Sequence, residues 1–205
     1  METGVRVVGS GQVSAAPDVL RVSFSIEHVA PDVASAVARV AEQTDAVTAA
    51  LREQGVDAAD IGTTTVNVFQ EYREKETDRA YRGSHQLTVT TKDLTGFGRL
   101  LNAAVDAAGN GLGLNALQFD IEDKSELLVQ ARELAFQQAR EKAAELAALA
   151  GYSLGSVTSV SETSGHHPIL RAARNASKSF DAAAIAITPG DNTVEVSLEI
   201  AFSWA

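Results

Sequence analysis

Apolar and polar residues alternate most clearly in two stretches. Leu20, Val22, Phe24 and Ile26 take one parity while Arg21, Ser23, Ser25 and Glu27 take the other, which predicts a half-buried strand. Val194, Val196, Leu198, Ile200, Phe202 and Trp204 repeat the pattern and predict a final strand with one apolar face. A shorter apolar run from Val5 to Val8 precedes the first of these, separated from it by Gly9, Gly11 and Pro17. After Pro31 the period changes. Val33, Val37, Val40, Thr44, Val47 and Leu51 stay within about 40° of one line at 100° per residue, a helical stripe. Asp32 is placed to cap that helix and Gly55 to stop it.

Ile61–Phe69 and Gln86–Thr91 are rich in Thr and Val and read as two strands of a long hairpin. The charged stretch between them, Glu71 to Arg79, reads as a solvated tip. Asp93 then introduces a second helix with Leu94, Phe97, Leu101, Val105 and Ala108, ended by Gly109. A strand through Leu117, Phe119 and Ile121 follows. The longest helix is expected from about Lys124 to Ala150, with Leu127, Ala131, Leu134, Ala135, Ala139, Leu146 and Leu149 on its buried stripe. Gln138 and Lys142 fall inside that arc, so part of the face should be wet or covered by a snorkelling stem. Val157–Val160 is a short strand, and residues 161–189 have little strand character, so that tract reads as a surface insertion.

The order from residue 19 to 123 is β-α-β-β-α-β, the ferredoxin-like split arrangement, and helix-Gly55-strand is echoed by helix-Gly109-strand. Strands with one apolar face, covered by helices, imply an α+β two-layer sandwich with a mainly antiparallel sheet and its helices on one face. A single domain over 1–205 is expected, with two interleaved sub-lobes, 59–151 and 1–58 plus 152–205.

Composition narrows the chemistry. Hydrophobic residues at 45% and charged residues at 21% describe an ordinary globular chain of 205 residues. The net charge of −10 repels phosphate backbones, so nucleic acid is not an expected partner. Arg171, Arg174 and Lys178 are the one local basic cluster and lack interleaved aromatics. The absence of cysteine removes disulfides, thiolate metal sites and cysteine nucleophiles. No apolar run is long enough to span a bilayer, and the opening Met1–Arg6 carries no signal-peptide pattern. As the sequence stands, the expected compartment is the cytoplasm, with a periplasmic location only if a leader has been removed.

Three motifs invite catalytic readings and fail on context. Gly9-Ser10-Gly11 follows a strand but leads through Pro17 into another strand, so no helix N-terminus is available for a pyrophosphate. Gly151-Tyr152-Ser153-Leu154-Gly155 matches a nucleophile elbow in letters but runs helix to strand, the reverse of the required order. Asp120, Glu122 and Asp123 lack the glycine-turned, oxygen-rich loop of a calcium site and read as a solvated acidic edge. His28 and His85 share parity with the apolar faces of their strands and read as half-buried, hydrogen-bonded residues. His166 and His167 are adjacent and cannot chelate one ion together. No catalytic residue, cofactor-binding residue or metal ligand is expected.

The run Val7-Val8-Gly9-Ser10-Gly11-Gln12-Val13-Ser14-Ala15-Ala16-Pro17-Asp18 resembles the opening of the SIMPL-domain family, V-x-G-x-G-x-V-x-x-x-P-D. Gln86–Leu94 is similar to its central strand entering the second helix, and Ala131–Ala147 to its Ala/Arg/Lys-rich long helix. Gly151–Val157 and Ile187–Gly190 with the strand to Trp204 resemble the rest. The family includes YggE stress proteins, bacterial periplasmic immunogenic proteins and an animal kinase-associated protein. The resemblance implies an α+β fold, self-association or a protein partner, a link to oxidative or envelope stress, and no agreed catalytic site. A homo-oligomer is therefore expected, with Trp204, Phe202, Phe180 and Leu170 as the assembly surface. The alternative expectation is a small-molecule or metal-binding stress protein with a pocket between sheet and helices near His28 and His85.

Overall fold

A computed structural model describes residues 4–71, 80–163 and 189–205. Seven strands and three α-helices occur among them: β1 (Gly4–Ala15), β2 (Val19–Ala30), α1 (Val33–Glu53), β3 (Ile61–Glu71), β4 (Ala80–Thr91), α2 (Phe97–Ala108), β5 (Leu112–Asp120), α3 (Ser125–Leu149), β6 (Leu154–Thr163) and β7 (Asn192–Trp204). Every strand pairing is antiparallel, and the architecture is an α+β sandwich of helices on sheets. Leu170 and Phe180, like His166, His167 and the basic cluster at 171–178, lie outside the described residues.

The chain divides into two compact units, at Pro17/Asp18 and at Asp120/Ile121. These divides differ from the sub-lobe boundaries expected at 58/59 and 151/152. The reason is pairing: β2 lies between β4 and β5, whereas β1 pairs along its whole length with β7. The contiguous unit, from Asp18 to Asp120, is the β-α-β-β-α-β segment, and its sheet order is β3-β4-β2-β5. The split unit combines the start of the chain, the stretch beginning at Ile121 and the C-terminal strand, and its sheet order is β1-β7-β6.

In the contiguous unit, Leu20, Val22, Phe24 and Ile26 are fully buried with Leu87 and Val89 of β4. Helices α1 and α2 cover that face with Val47, Leu51, Phe97, Leu100 and Ala104. Asp32 caps α1, its carboxylate accepting from the Ser35 N–H at 2.9 Å. At the other end the Val56 N–H donates to the Leu51 carbonyl across Gly55 at φ 90°, a turn that only glycine enters without strain. Three expectations for these helices need correction, one of them Val105 of α2, which is 44% exposed while Leu100 and Ala104 are buried. Val33 and Val37 are each 46% exposed, and Ala36 is buried in their place. A methyl on Gly83 of β4 would lie 3.0 Å from Val40 Cγ2 and 3.2 Å from the Ala36 carbonyl, so it is the Ala36–Val40 side of α1 that rests on the sheet. Asp93 does not cap α2 directly. Its carboxylate accepts from Thr95 in a turn, and the helix begins at Phe97.

The split unit is built differently. The buried residues of α3 are Ala131, Ala135 and Ala139, as expected, with Ala143 and Ala147 in place of the expected Leu134, Leu146 and Leu149. Leu134 and Leu146 are about half exposed and Leu149 is 85% exposed. The cause is on β1. A methyl on Gly9 would lie 2.1 Å from the Ala135 carbonyl, and one on Gly11 2.0 Å from the Ala131 carbonyl. Helix backbone therefore rests on strand backbone, and alanine is the largest side chain that fits between them. Facing the alanines are Val7, Val196, Leu198, Ile200 and Phe202. Helix α3 also occupies the polar groups of β1: the Ser10 N–H donates to Gln138 Oε1 at 2.8 Å, and Lys142 Nζ donates to the Val8 carbonyl at 3.0 Å. The wet part of the stripe expected at Gln138 and Lys142 is this pair of contacts.

Candidate functional site

The motifs that suggested catalysis all have structural work in this fold. Gly9 and Gly11 make the close approach to α3. Gly151, at φ 79°, closes α3, with the Tyr152 N–H donating to the Ala147 carbonyl at 2.9 Å. Ser153 exchanges two backbone hydrogen bonds with Ala205, at 2.9 and 3.2 Å. At the start of α3 the Ser125 hydroxyl and then its N–H donate to the Asp123 carboxylate and lower its pKa below the usual carboxylate value. Asp120 lies 3.7 Å from the Arg21 guanidinium. Among the described residues no three His, Asp or Glu side chains gather as a metal would require.

The two histidines do not converge. His85 Nε2 is 2.9 Å from the Thr63 hydroxyl, and partial burial lowers its pKa from the ordinary value, opposed by the charge of Asp45. His28 instead lines a cleft of about 570 Å³ at the end of the contiguous unit's sheet, together with Ser25, Glu27, Gln43, Arg82 and Asn110. The polar groups of this cleft largely satisfy one another. Arg82 donates to Glu27 at 2.9 Å and to Glu71 at 3.1 Å, and the bond to Glu27 raises its guanidinium pKa further. Ser25 donates to Asn115, and Gln43 Nε2 donates to the Ala108 carbonyl. Gln43 Oε1 is buried without a partner. Glu71, expected in a solvated tip, is thus an ion-pair partner at the end of β3.

The residues expected to form an assembly surface separate as well. Phe202 is 3% exposed and packs in the core of the split unit, so it is not available at the surface. Trp204 lies past the covered part of β7 and stacks on Tyr152, ring centroids 5.2 Å apart at 18°. Tyr152 is 55% exposed, and Val157 and Val160 of the neighbouring edge strand β6 are 41% and 53% exposed.

The sequence reading missed a second apolar edge. Among the described residues strand β3 pairs only with β4, and its Val66, Val68 and Phe69 are 60%, 38% and 52% exposed. No residue from Ile61 to Gln70 is charged. Charge alone did not mark it, because residues 7–17, 107–119 and 146–161, which hold the other edge strands, are uncharged as well.

A family model described as SIMPL, protein of unknown function (DUF541), matches residues 5–202. The chain belongs to the SIMPL family. Among curated relatives, this SIMPL chain is 28% identical to the 26 kDa periplasmic immunogenic protein of Brucella melitensis biotype 1, over 97% of its own length and 83% of that protein. The protein of the same name from Brucella abortus shows the same identity and coverage. A protein named uncharacterized protein YggE, from Edwardsiella ictaluri, is 28% identical over 77% of this chain and 67% of its own. No helix among the described residues is long and apolar enough to cross a membrane.

Proposed function

We propose that this SIMPL protein acts by association, with copies of itself or with a protein partner, and not by catalysis. The observation that carries this reading is the pair of sheet edges that end in exposed apolar side chains: β3 with Val66, Val68 and Phe69, and β6 with Val157 and Val160 beside the Tyr152–Trp204 stack. Edge strands offer rows of backbone donors and acceptors, and exposed apolar residues beside them add area to bury. We place its work in the bacterial envelope, in protection against oxidative or envelope stress. The support is the periplasmic designation of the Brucella relatives and the family resemblance.

The test is absolute mass by light scattering behind size exclusion at several concentrations. A discrete mass above 21.5 kDa is expected, reduced by Trp204→Lys. A monomer at every concentration, with no protein captured from a periplasmic extract, overturns the reading. A second reading, a small-molecule or metal-binding protein, rests on the cleft at His28. It requires a ligand that raises the melting temperature and loses that effect in His28→Ala.

A further inference from the structure

We infer that β3 pairs with β3 of a second copy, antiparallel about a two-fold axis at Asn67, joining two four-stranded sheets into one of eight strands. This rests on the association reading above and names its partner and register.

Among the described residues four edges bound the two sheets, and they are not equivalent. At β1, helix α3 occupies the Ser10 N–H and the Val8 carbonyl. Strand β6 shifts register twice against β7, between Leu154 and Val157 and again before Ser159. Strand β5 shifts in its middle, opposite Ser23 and Phe24. Bulges of this kind twist an edge away from a partner. In β3 the shift lies early, between Thr63 and Thr65, and from Thr65 to Glu71 the register with β4 runs unbroken. This seven-residue stretch is regular and carries no charge before Glu71.

The occupant follows from charge and side-chain parity. The whole chain carries −10, so two copies repel each other unless they meet where neither is charged. With Asn67 opposite Asn67, Val66 of each copy faces Val68 of the other, and Thr65 faces Phe69. Val66 and Val68 share one face of the sheet and Thr65 and Phe69 the other, so every pairing joins side chains on the same side. Val–Val and aromatic–Thr pairs are among the favourable cross-strand combinations. Glu71, already paired with Arg82, falls opposite Thr63 and meets no like charge. Shifting the axis two residues toward Phe69 would bring Glu71 opposite Asn67 and leave fewer residues paired.

Because the chain has no cysteine, single cysteines report the register directly. Residues directly opposite in an antiparallel pair lie about 5 Å apart between Cα atoms, within reach of a disulfide. Thr65 and its symmetry mate would be roughly 13 Å apart, beyond reach. Under mild oxidation of the full chain, Asn67→Cys is expected to give a covalent dimer and Thr65→Cys to stay monomeric on non-reducing gels. Val66→Lys with Val68→Lys should lower the mass by light scattering while the circular dichroism spectrum is kept. If Asn67→Cys fails to cross-link although the unmodified protein is oligomeric, the β3 pairing is wrong and the association reading stands on another surface. Equal cross-linking of both cysteine variants also overturns the register. A monomer at all concentrations with no cross-link removes the pairing and self-association together.

Discussion

The contiguous and split units solve the same problem with opposite side chains. Both lay helices on one face of an antiparallel sheet. In the contiguous unit, Phe24, Leu20, Ile26 and Leu51 fill the gap between layers. In the split unit, five alanines of α3 meet a strand carrying Gly9 and Gly11, and Leu134, Leu146 and Leu149 of the helix stay outside. Stability in the first comes from large apolar surface removed from water. In the second it comes from close backbone approach, where one added carbon has nowhere to go. The size of a side chain is therefore a guide to its importance in one unit and a misleading one in the other.

The sharpest break of this contrast is Gly11→Val, whose Cβ would stand 2.0 Å from the Ala131 carbonyl. It is expected to cost roughly 4 kcal/mol or more and to unfold the split unit, read as a lost or split transition in urea. Phe24→Ala, the counterpart in the contiguous unit, should cost about 3–5 kcal/mol through cavity formation. A smaller loss than that made by Ala139→Leu would invert the comparison, since overpacking at Ala139 is expected to cost about 1–3 kcal/mol. Leu149→Ala, at a position 85% exposed, should change stability by no more than about 0.5 kcal/mol, although it removes far more apolar volume than any alanine holds. Thr44→Val in α1 should stabilise by about 1 kcal/mol, because the buried Thr44 hydroxyl has no hydrogen-bond partner and valine keeps its shape.

The smallest effect is in pH. His85 has a folded-state pKa below its ordinary value, so the unfolded chain takes up a proton first as pH falls. Its contribution is complete above the ordinary histidine pKa of 6.5 and is lost as pH drops from there through the folded value. His85→Gln is expected to flatten the melting temperature between neutral and mildly acidic pH. An unchanged slope would remove His85 as its source.

The contiguous unit was largely legible in the sequence because its packing follows the familiar signals. Alternation marked β2, the four-and-three spacing marked α1, and Asp32 and Gly55 marked its ends. The split unit was legible in its elements and misread in its faces. The expected stripe of α3 held Ala131, Ala135 and Ala139 but drifted to Leu134, Leu146 and Leu149, whereas the buried line continues through Ala143 and Ala147. The clue was the pairing of that four-residue alanine repeat with Gly9-x-Gly11, two features more than a hundred residues apart that only a fold brings together. Phe202 and Trp204 share a parity in the sequence, yet one is core and the other surface, because the alternation of a strand does not say where its covering helix ends. The exposed edge of β3 left no distinguishing trace, because its stretch without charge is shared by the other edge strands.

The pairing of β1 with β7 couples the two ends of the chain in time as well as in space. Gly4 lies opposite Ser203 and Ala15 opposite Asn192, so among the described residues the first strand has no partner until β7 is made. The segment from Asp18 to Asp120, by contrast, contains every strand of its own sheet. On a ribosome making roughly 5–20 residues per second, the contiguous unit is complete while β1 still waits. The split unit can assemble only once β7 has been made, when every strand of the contiguous unit is already present. Truncation of the final strand would then leave the inner unit intact and strand β1 without its neighbour.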